Sequence, residues 1–144
     1  MYKVSEVAIS YKPKNAHHPI IADPCEAYAL LKDTWGDTLE HHETMKVLLF
    51  NNRSHLLGIA TIGEGGITET PADIRIIFQY ALLSNATCFI LAHNHPSGVL
   101  KTSFQDDTIT RAVKDASKIM NIRFIDHLII TAESYYSYTE NGRL

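Results

Sequence analysis

The sequence predicts a mixed α/β domain: an α+β arrangement, or a mixed sheet flanked by helices. Three observations predict it. Short apolar runs at 46–50, 87–92 and 124–131 have the length of strands rather than helices. Apolar residues recur at helical spacing over 74–82 and again over 109–120. The two kinds of segment mix without strict alternation, which argues against a purely parallel sheet. A chain of 144 residues suits one domain spanning 1–144. It can bury roughly two-thirds of its unfolded surface, enough for a core without staples.

Taken in order, residues 4–11 alternate loosely, with Val7, Ile9 and Tyr11 on one side, and predict a first strand. Lys12-Pro13-Lys14-Asn15 ends it, and 15–20 is expected as a loop. Asp23-Pro24-Cys25-Glu26 carries a helix-start signal: Asp23 as cap, Pro24 in the first turn, Glu26 returning a hydrogen bond. Ala27, Leu30 and Leu31 supply that helix with a buried face, and Gly36 closes it. Residues 46–50 are expected as a strand buried on both faces, turned by Asn51-Asn52-Arg53-Ser54 into an antiparallel partner over 55–62. Gly63-Glu64-Gly65-Gly66 then breaks the pattern.

Thr70-Pro71-Ala72-Asp73 repeats the cap-and-proline signal ahead of Ile74, Ile77, Phe78, Ala81 and Leu82. Residues 87–92 form the expected central strand. Ser103 opens a third helix whose expected buried face is Ile109, Ala112, Val113, Ala116, Ile119 and Met120. Residues 124–131 follow as a strand, and Tyr135, Tyr136 and Tyr138 as a small edge strand or turn.

Composition narrows the function classes. Hydrophobic residues at 45% and charged residues at 20% match an ordinary globular chain and argue against disorder. Thirteen Lys and Arg against sixteen Asp and Glu leave a net charge of −3, with no basic stripe to capture nucleic acid broadly. Cys25 and Cys88 stand far apart without a CxxC pair, as expected of two thiols in a reducing cytoplasm. No apolar run approaches the roughly 18–20 residues of a membrane span. Glu6 falls where a signal peptide would be apolar. A cytoplasmic protein with no membrane partner is the expectation.

The chemistry concentrates in Leu91-Ala92-His93-Asn94-His95-Pro96-Ser97-Gly98. His93 and His95, two apart at the end of a predicted strand, leave the same face. Pro96 and Gly98 turn the chain sharply there. A helix packed back on that strand brings Asp106, in its first turn, to the strand's tip. Two imidazole nitrogens and one carboxylate oxygen suit a single zinc, with a fourth tetrahedral position for water. Such a water is a good nucleophile near neutral pH. By local rules alone, Ser103-Phe104-Gln105-Asp106 is equally a capping box, and His-x-His alone often makes ordinary hydrogen bonds. Asn94 completes a His-Asn-His triplet like the letters of the HNH nucleases, whose residues are spread over separate elements of another fold.

Together, His93-Asn94-His95-Pro96-Ser97-Gly98 and Ser103-x-x-Asp106 resemble the JAMM metal motif of the JAB/MPN family. More narrowly the chain resembles the RadC branch, through Gly65-Gly66-Ile67, Asp73-Ile74-Arg75, Asp126-His127-Leu128-Ile129-Ile130 and Tyr135-Tyr136-Ser137. The resemblance implies a mostly antiparallel sheet flanked by helices, with one zinc held by His93, His95 and Asp106. It implies a zinc-dependent hydrolase, a metallopeptidase or isopeptidase using a zinc-activated water on a peptide or protein substrate. It selects Glu43 as general base over Glu40, Glu64 and Glu69, and Ser103 as donor to the developing oxyanion. Thr102 stands where the family often has proline, and Met45 where an aromatic is commoner. The helical N-terminal DNA-binding segment of longer RadC proteins is expected to be absent. Two other classes stay open: a DNA-repair or nucleic-acid accessory, and a silent MPN-type protein-binding scaffold.

Elsewhere, His17-His18 and His41-His42 are adjacent pairs, whose members point to opposite faces if extended. His55 is expected at a solvated hairpin, and His127, beside Asp126, in a structural hydrogen bond. Trp35 and the C-terminal tyrosines are expected in the core or at its rim.

Overall fold

The computed structural model describes residues 3–12, 18–66 and 72–144. Part of the expected loop, His17, Ile67, Glu69 and the Thr70-Pro71 signal lie outside them. Among the described residues five strands, β1 (Thr44–Phe50), β2 (Leu56–Glu64), β3 (Cys88–Asn94), β4 (Arg123–Ile130) and β5 (Tyr135–Ser137), form one sheet in the order β2-β1-β3-β4-β5. Only the β3–β4 pairing is parallel; the other three are antiparallel. Three helices, α1 (Pro24–Thr34), α2 (Ile74–Leu83) and α3 (Phe104–Met120), flank it. The fold is the mixed, mostly antiparallel sheet that the sequence pattern and family resemblance imply.

Strand alternation divides the core. Met45, Val47, Leu49, Phe89 and Leu91 face one side, where Ile77, Phe78 and Ala81 of α2 and Val113 of α3 cover them. Leu48, Phe50, Ile90, Leu128 and Ile130 face the other, against Ala27 and Leu31 of α1. Each such side chain stabilises the fold by about 1.5–3 kcal/mol when fully buried. The α1 start works as its residues dictate: Asp23 accepts from the Glu26 N–H, and the Glu26 carboxylate accepts from the Ala22 N–H. Gly36, at φ +88°, takes the left-handed conformation that ends the helix.

Two expectations fail. Residues 4–11 form no strand, and Val4, Val7 and Ile9 are 88%, 90% and 83% exposed. Alternation makes a segment compatible with a sheet, but a ladder needs a neighbour. Tyr11 reaches the edge strand β2 through its side chain, its hydroxyl donating to the Leu57 carbonyl. The expected face of α3 is also rotated. Val113 is buried, but Ile119 and Met120 are exposed, while Asp106, Thr110 and Ser117 are buried. On α2, Leu82 is exposed beside the buried Ile77, Phe78 and Ala81. Among the described residues no helix is long and apolar enough to cross a membrane. Cys25 is exposed and Cys88 buried, both as free thiols.

Candidate metal centre

The site sits where β3 hands the chain to α3. The parallel β3–β4 pair with α3 as crossover forms a βαβ unit, and ligands in such units collect beyond the strands' carboxyl ends. His93 points to the α2–α3 side. His95 extends the ladder past the strand, its N–H donating to the Ile130 carbonyl at 3.0 Å. A turn then closes with the Gly98 N–H on the His95 carbonyl at 3.0 Å. Pro96 fixes its first corner, and Gly98 takes φ +81°, a conformation costly for side chains with a Cβ. This turn brings the Val99 carbonyl to 2.8 Å from His95 Nδ1. A carbonyl only accepts, so Nδ1 carries the proton and Nε2 presents a lone pair.

Asp106 arrives from the first turn of α3, and both readings of its segment hold. Its Oδ2 accepts from the Ser103 N–H at 2.7 Å while the Ser103 hydroxyl accepts from the Asp106 N–H at 3.0 Å, a complete capping box. The same carboxylate faces the histidines: Oδ1 lies 3.0 Å from His93 Nε2, and Oδ2 lies 3.3 Å from His95 Nε2. The two Nε2 atoms are 3.0 Å apart. The edges of a tetrahedron around a zinc with bonds of about 2.0–2.1 Å are roughly 3.3 Å. His93, His95 and Asp106 therefore fit a metal in donor type, number and spacing.

The electrostatics mark a site that favours positive charge. Burial opposes the Asp106 charge, but hydrogen bonding to His93, His95 and Ser103 outweighs it and holds the carboxyl far below its usual range. The α3 amino end favours the same anion. Burial pushes the His95 pKa down, yet its bonds to Asp106 and Val99, with the Asp106 and Glu43 charges, leave it raised.

Glu43 is half-buried immediately before β1. Met45 pairs with His93 at the end of the β1–β3 ladder, and continuing that antiparallel register two residues further would bring Glu43 opposite His95. Its charge reaches the His95 ring. Its backbone exchanges bonds with Gly66 and Gly65, tying the expected base to the glycine-rich segment after β2. Glu64 pairs with Thr44 at the outer edge, and Glu40 lies in the preceding loop. Ser103 is exposed at the α3 cap, and its own hydroxyl proton is not used by the capping bond.

Two residues matter more than their sequence suggests. Asn94 is fully buried; its Oδ1 accepts from the Thr44 N–H at 2.7 Å, and its Nδ2 donates to the carbonyls of Thr38, Leu39 and His42. It fastens the loop that carries Glu43. His127 makes the structural bond expected of it, with Thr110, and a second one to the candidate ligand His93 at 2.8 Å. A bulge explains the second. Phe89 pairs with Phe124 but Ile90 pairs with Asp126, so Ile125 is skipped and the strand's phase reverses. His127 thereby shares the face of Leu91 and His93. Complete burial, with the neighbouring His93, keeps its pKa well below the histidine range. His41 and His42 stack edge-on in the loop before Glu43, apart from the cluster.

A family model described as the RadC-like JAB domain matches residues 21–143. The chain belongs to the RadC-like JAB family. The RadC-like match covers every element of the sheet and all three helices. A UPF0758 protein of Flavobacterium johnsoniae is 38% identical over 117 residues, which is 81% of this chain and 50% of the relative. UPF0758 proteins of Porphyromonas gingivalis and Streptococcus gordonii are each 40% identical, over 71% of this chain and 45% of their own length. This RadC-like chain thus spans about half the length of the curated relatives it matches.

Proposed function

We propose that this chain is a zinc-dependent hydrolase of the JAB/MPN type that cleaves a peptide or isopeptide bond in a protein substrate. The observation that carries this reading is the convergence of His93 Nε2 and His95 Nε2, 3.0 Å apart, on the Asp106 carboxylate, whose Oδ1 lies 3.0 Å from the first and Oδ2 3.3 Å from the second, with the Glu43 charge acting on the His95 ring. At least two of these three atoms are acceptors, and a cation resolves their mutual repulsion. Zinc held there supplies Lewis acidity and makes water a nucleophile near neutral pH. Glu43 takes the proton of the attacking water and delivers it to the leaving amine. The Ser103 hydroxyl donates to the carbonyl oxygen as negative charge develops on it.

The free thiols and the absence of a spanning helix among the described residues suit the cytoplasm, where we place the reaction. The test is metal analysis together with turnover on peptide and isopeptide substrates. Glu43→Gln is expected to retain zinc and lose about 10²–10⁴-fold in rate. His95→Ala is expected to lose both. A purified wild type that takes up no zinc sinks the hydrolase and leaves a scaffold; a Glu43→Gln variant as fast as wild type sinks the base assignment.

A further inference from the structure

Behind His93 runs a closed chain of hydrogen bonds whose direction decides whether the ring can bind a metal. Thr110 lies one helical turn past Asp106, and its hydroxyl donates to the Asp106 carbonyl at 2.7 Å. A hydroxyl has one proton, so toward its other neighbour it can only accept. That neighbour is His127 Nδ1, at 2.6 Å, which therefore carries the N–H. A neutral imidazole has a single N–H, which leaves His127 Nε2 as an acceptor. His93 Nδ1 lies 2.8 Å from it and supplies the proton. His93 Nε2 is then a bare lone pair, directed at His95 and Asp106.

The reverse direction also satisfies both imidazoles, but it gives up the bond from Thr110 to the Asp106 carbonyl. Thr110 would donate to His127 Nδ1, His127 Nε2–H to His93 Nδ1, and His93 would aim an N–H at Asp106. In that state His93 offers a proton where a ligand is required. Thr110, His127 and His93 are all buried, so water does not replace a missing partner. The His127 ring lies flat on Tyr138, with centroids 5.0 Å apart and planes 6° apart, which holds both nitrogens on their partners.

We propose that Thr110, acting through His127, is a positioning residue that selects the metal-binding tautomer of His93. Resting on the metal-centre reading above, it adds residues that touch neither metal nor substrate. Metal binding demands a proton on His127 Nδ1, and the Thr110 oxygen is the acceptor that makes this favourable. Without it, the metal-loaded state strands a buried N–H, whereas the metal-free state escapes by reversing the chain. The loss therefore appears in metal affinity and not only in folding stability.

The experiment measures Zn²⁺ affinity by chelator competition and Co²⁺ affinity by visible absorbance, on the full chain. Wild type, Thr110→Ser and Thr110→Val are compared, with His127→Gln and His127→Leu as a second pair should Thr110→Val not fold. Thr110→Ser keeps the acceptor and should bind within a few-fold of wild type. Thr110→Val should bind about 10–100-fold more weakly. His127→Gln keeps an oxygen for His93 Nδ1–H and should bind more tightly than His127→Leu. Ring ¹⁵N shifts of the Zn²⁺-loaded wild type should show His127 protonated at Nδ1. Equal affinities for wild type and Thr110→Val, or a His127 proton on Nε2 in the loaded protein, overturn the relay and leave the metal centre standing. A wild type that binds neither ion overturns the metal centre and the relay with it.

Discussion

Asn94 accepts a hydrogen bond from the Thr44 backbone N–H at 2.7 Å and thereby joins the strand that carries the candidate ligand His93 to the residue after Glu43. Strand alternation turns Asn94 away from the face of its two histidine neighbours. The motif thus looks both ways: its imidazoles to the candidate metal site, its amide to the loop that carries Glu43.

Removing that amide should be costly. Asn94→Ala strands the Thr44 N–H in a buried position and frees three loop carbonyls, which predicts a loss of about 2–3 kcal/mol. Asn94→Asp should be no better, because it sets an anion against those carbonyls. Urea unfolding measures both, and an alanine variant within about 0.5 kcal/mol of wild type would refute the anchoring role.

If the proposed centre holds, metal should stabilise the fold by mass action, since the three candidate ligands come from β3, the turn after it, and α3. At a free zinc concentration 100 times Kd the gain is about 2.7 kcal/mol. Thermal unfolding should therefore shift upward on adding zinc and return on adding chelator. His93→Ala should abolish the shift, and a shift that survives it would place the ion elsewhere.

Asp126 gives a separate pH signature. It is buried, and burial raises its pKa despite donors from Ser137, Thr139 and His127. The folded state therefore holds a proton that the unfolded chain has already released. This favours the fold fully below the ordinary carboxyl pKa, and the contribution is lost as pH rises through the raised one. Asp126→Asn imitates the protonated form: its oxygen can accept the His127 and Thr139 N–H groups, and its amide can donate to the Ser137 hydroxyl. Unfolding free energies across that window should slope for wild type and flatten for the variant. Parallel slopes would show that another group titrates.

Much of this was legible in the sequence, for identifiable reasons. His93 and His95 were readable because a period of two puts i and i+2 on one face, and Asp106 because a helix returning over a strand begins at its tip. Glu43 was not readable from spacing; a register joining it to His95 across β1 and β3 exists only in the sheet. His127 was hidden by the bulge at Ile125, since strict alternation from Phe124 sends it to the α1 side. Asn94 was hidden because its partners are main-chain groups, which leave no pattern. The alternation of Val7, Ile9 and Tyr11 misled because strand-compatible residues do not supply the neighbour that a strand requires.

The periodicity of α3 misled differently, and that error can be tested. Ile119 and Met120 continue the apolar spacing, but both are exposed, Ile119 at 85%. The buried face toward the amino end is partly polar instead, because Asp106 meets His93 and His95 and Thr110 meets His127. The apolar stripe and the buried stripe therefore diverge along one helix. Ile119→Lys should change stability by no more than about 0.5 kcal/mol. Val113→Ala, which removes two fully buried methyl groups, should cost about 2 kcal/mol. If the Ile119 variant proves the more damaging, that surface is covered in solution, and α3 packs on something beyond this sheet.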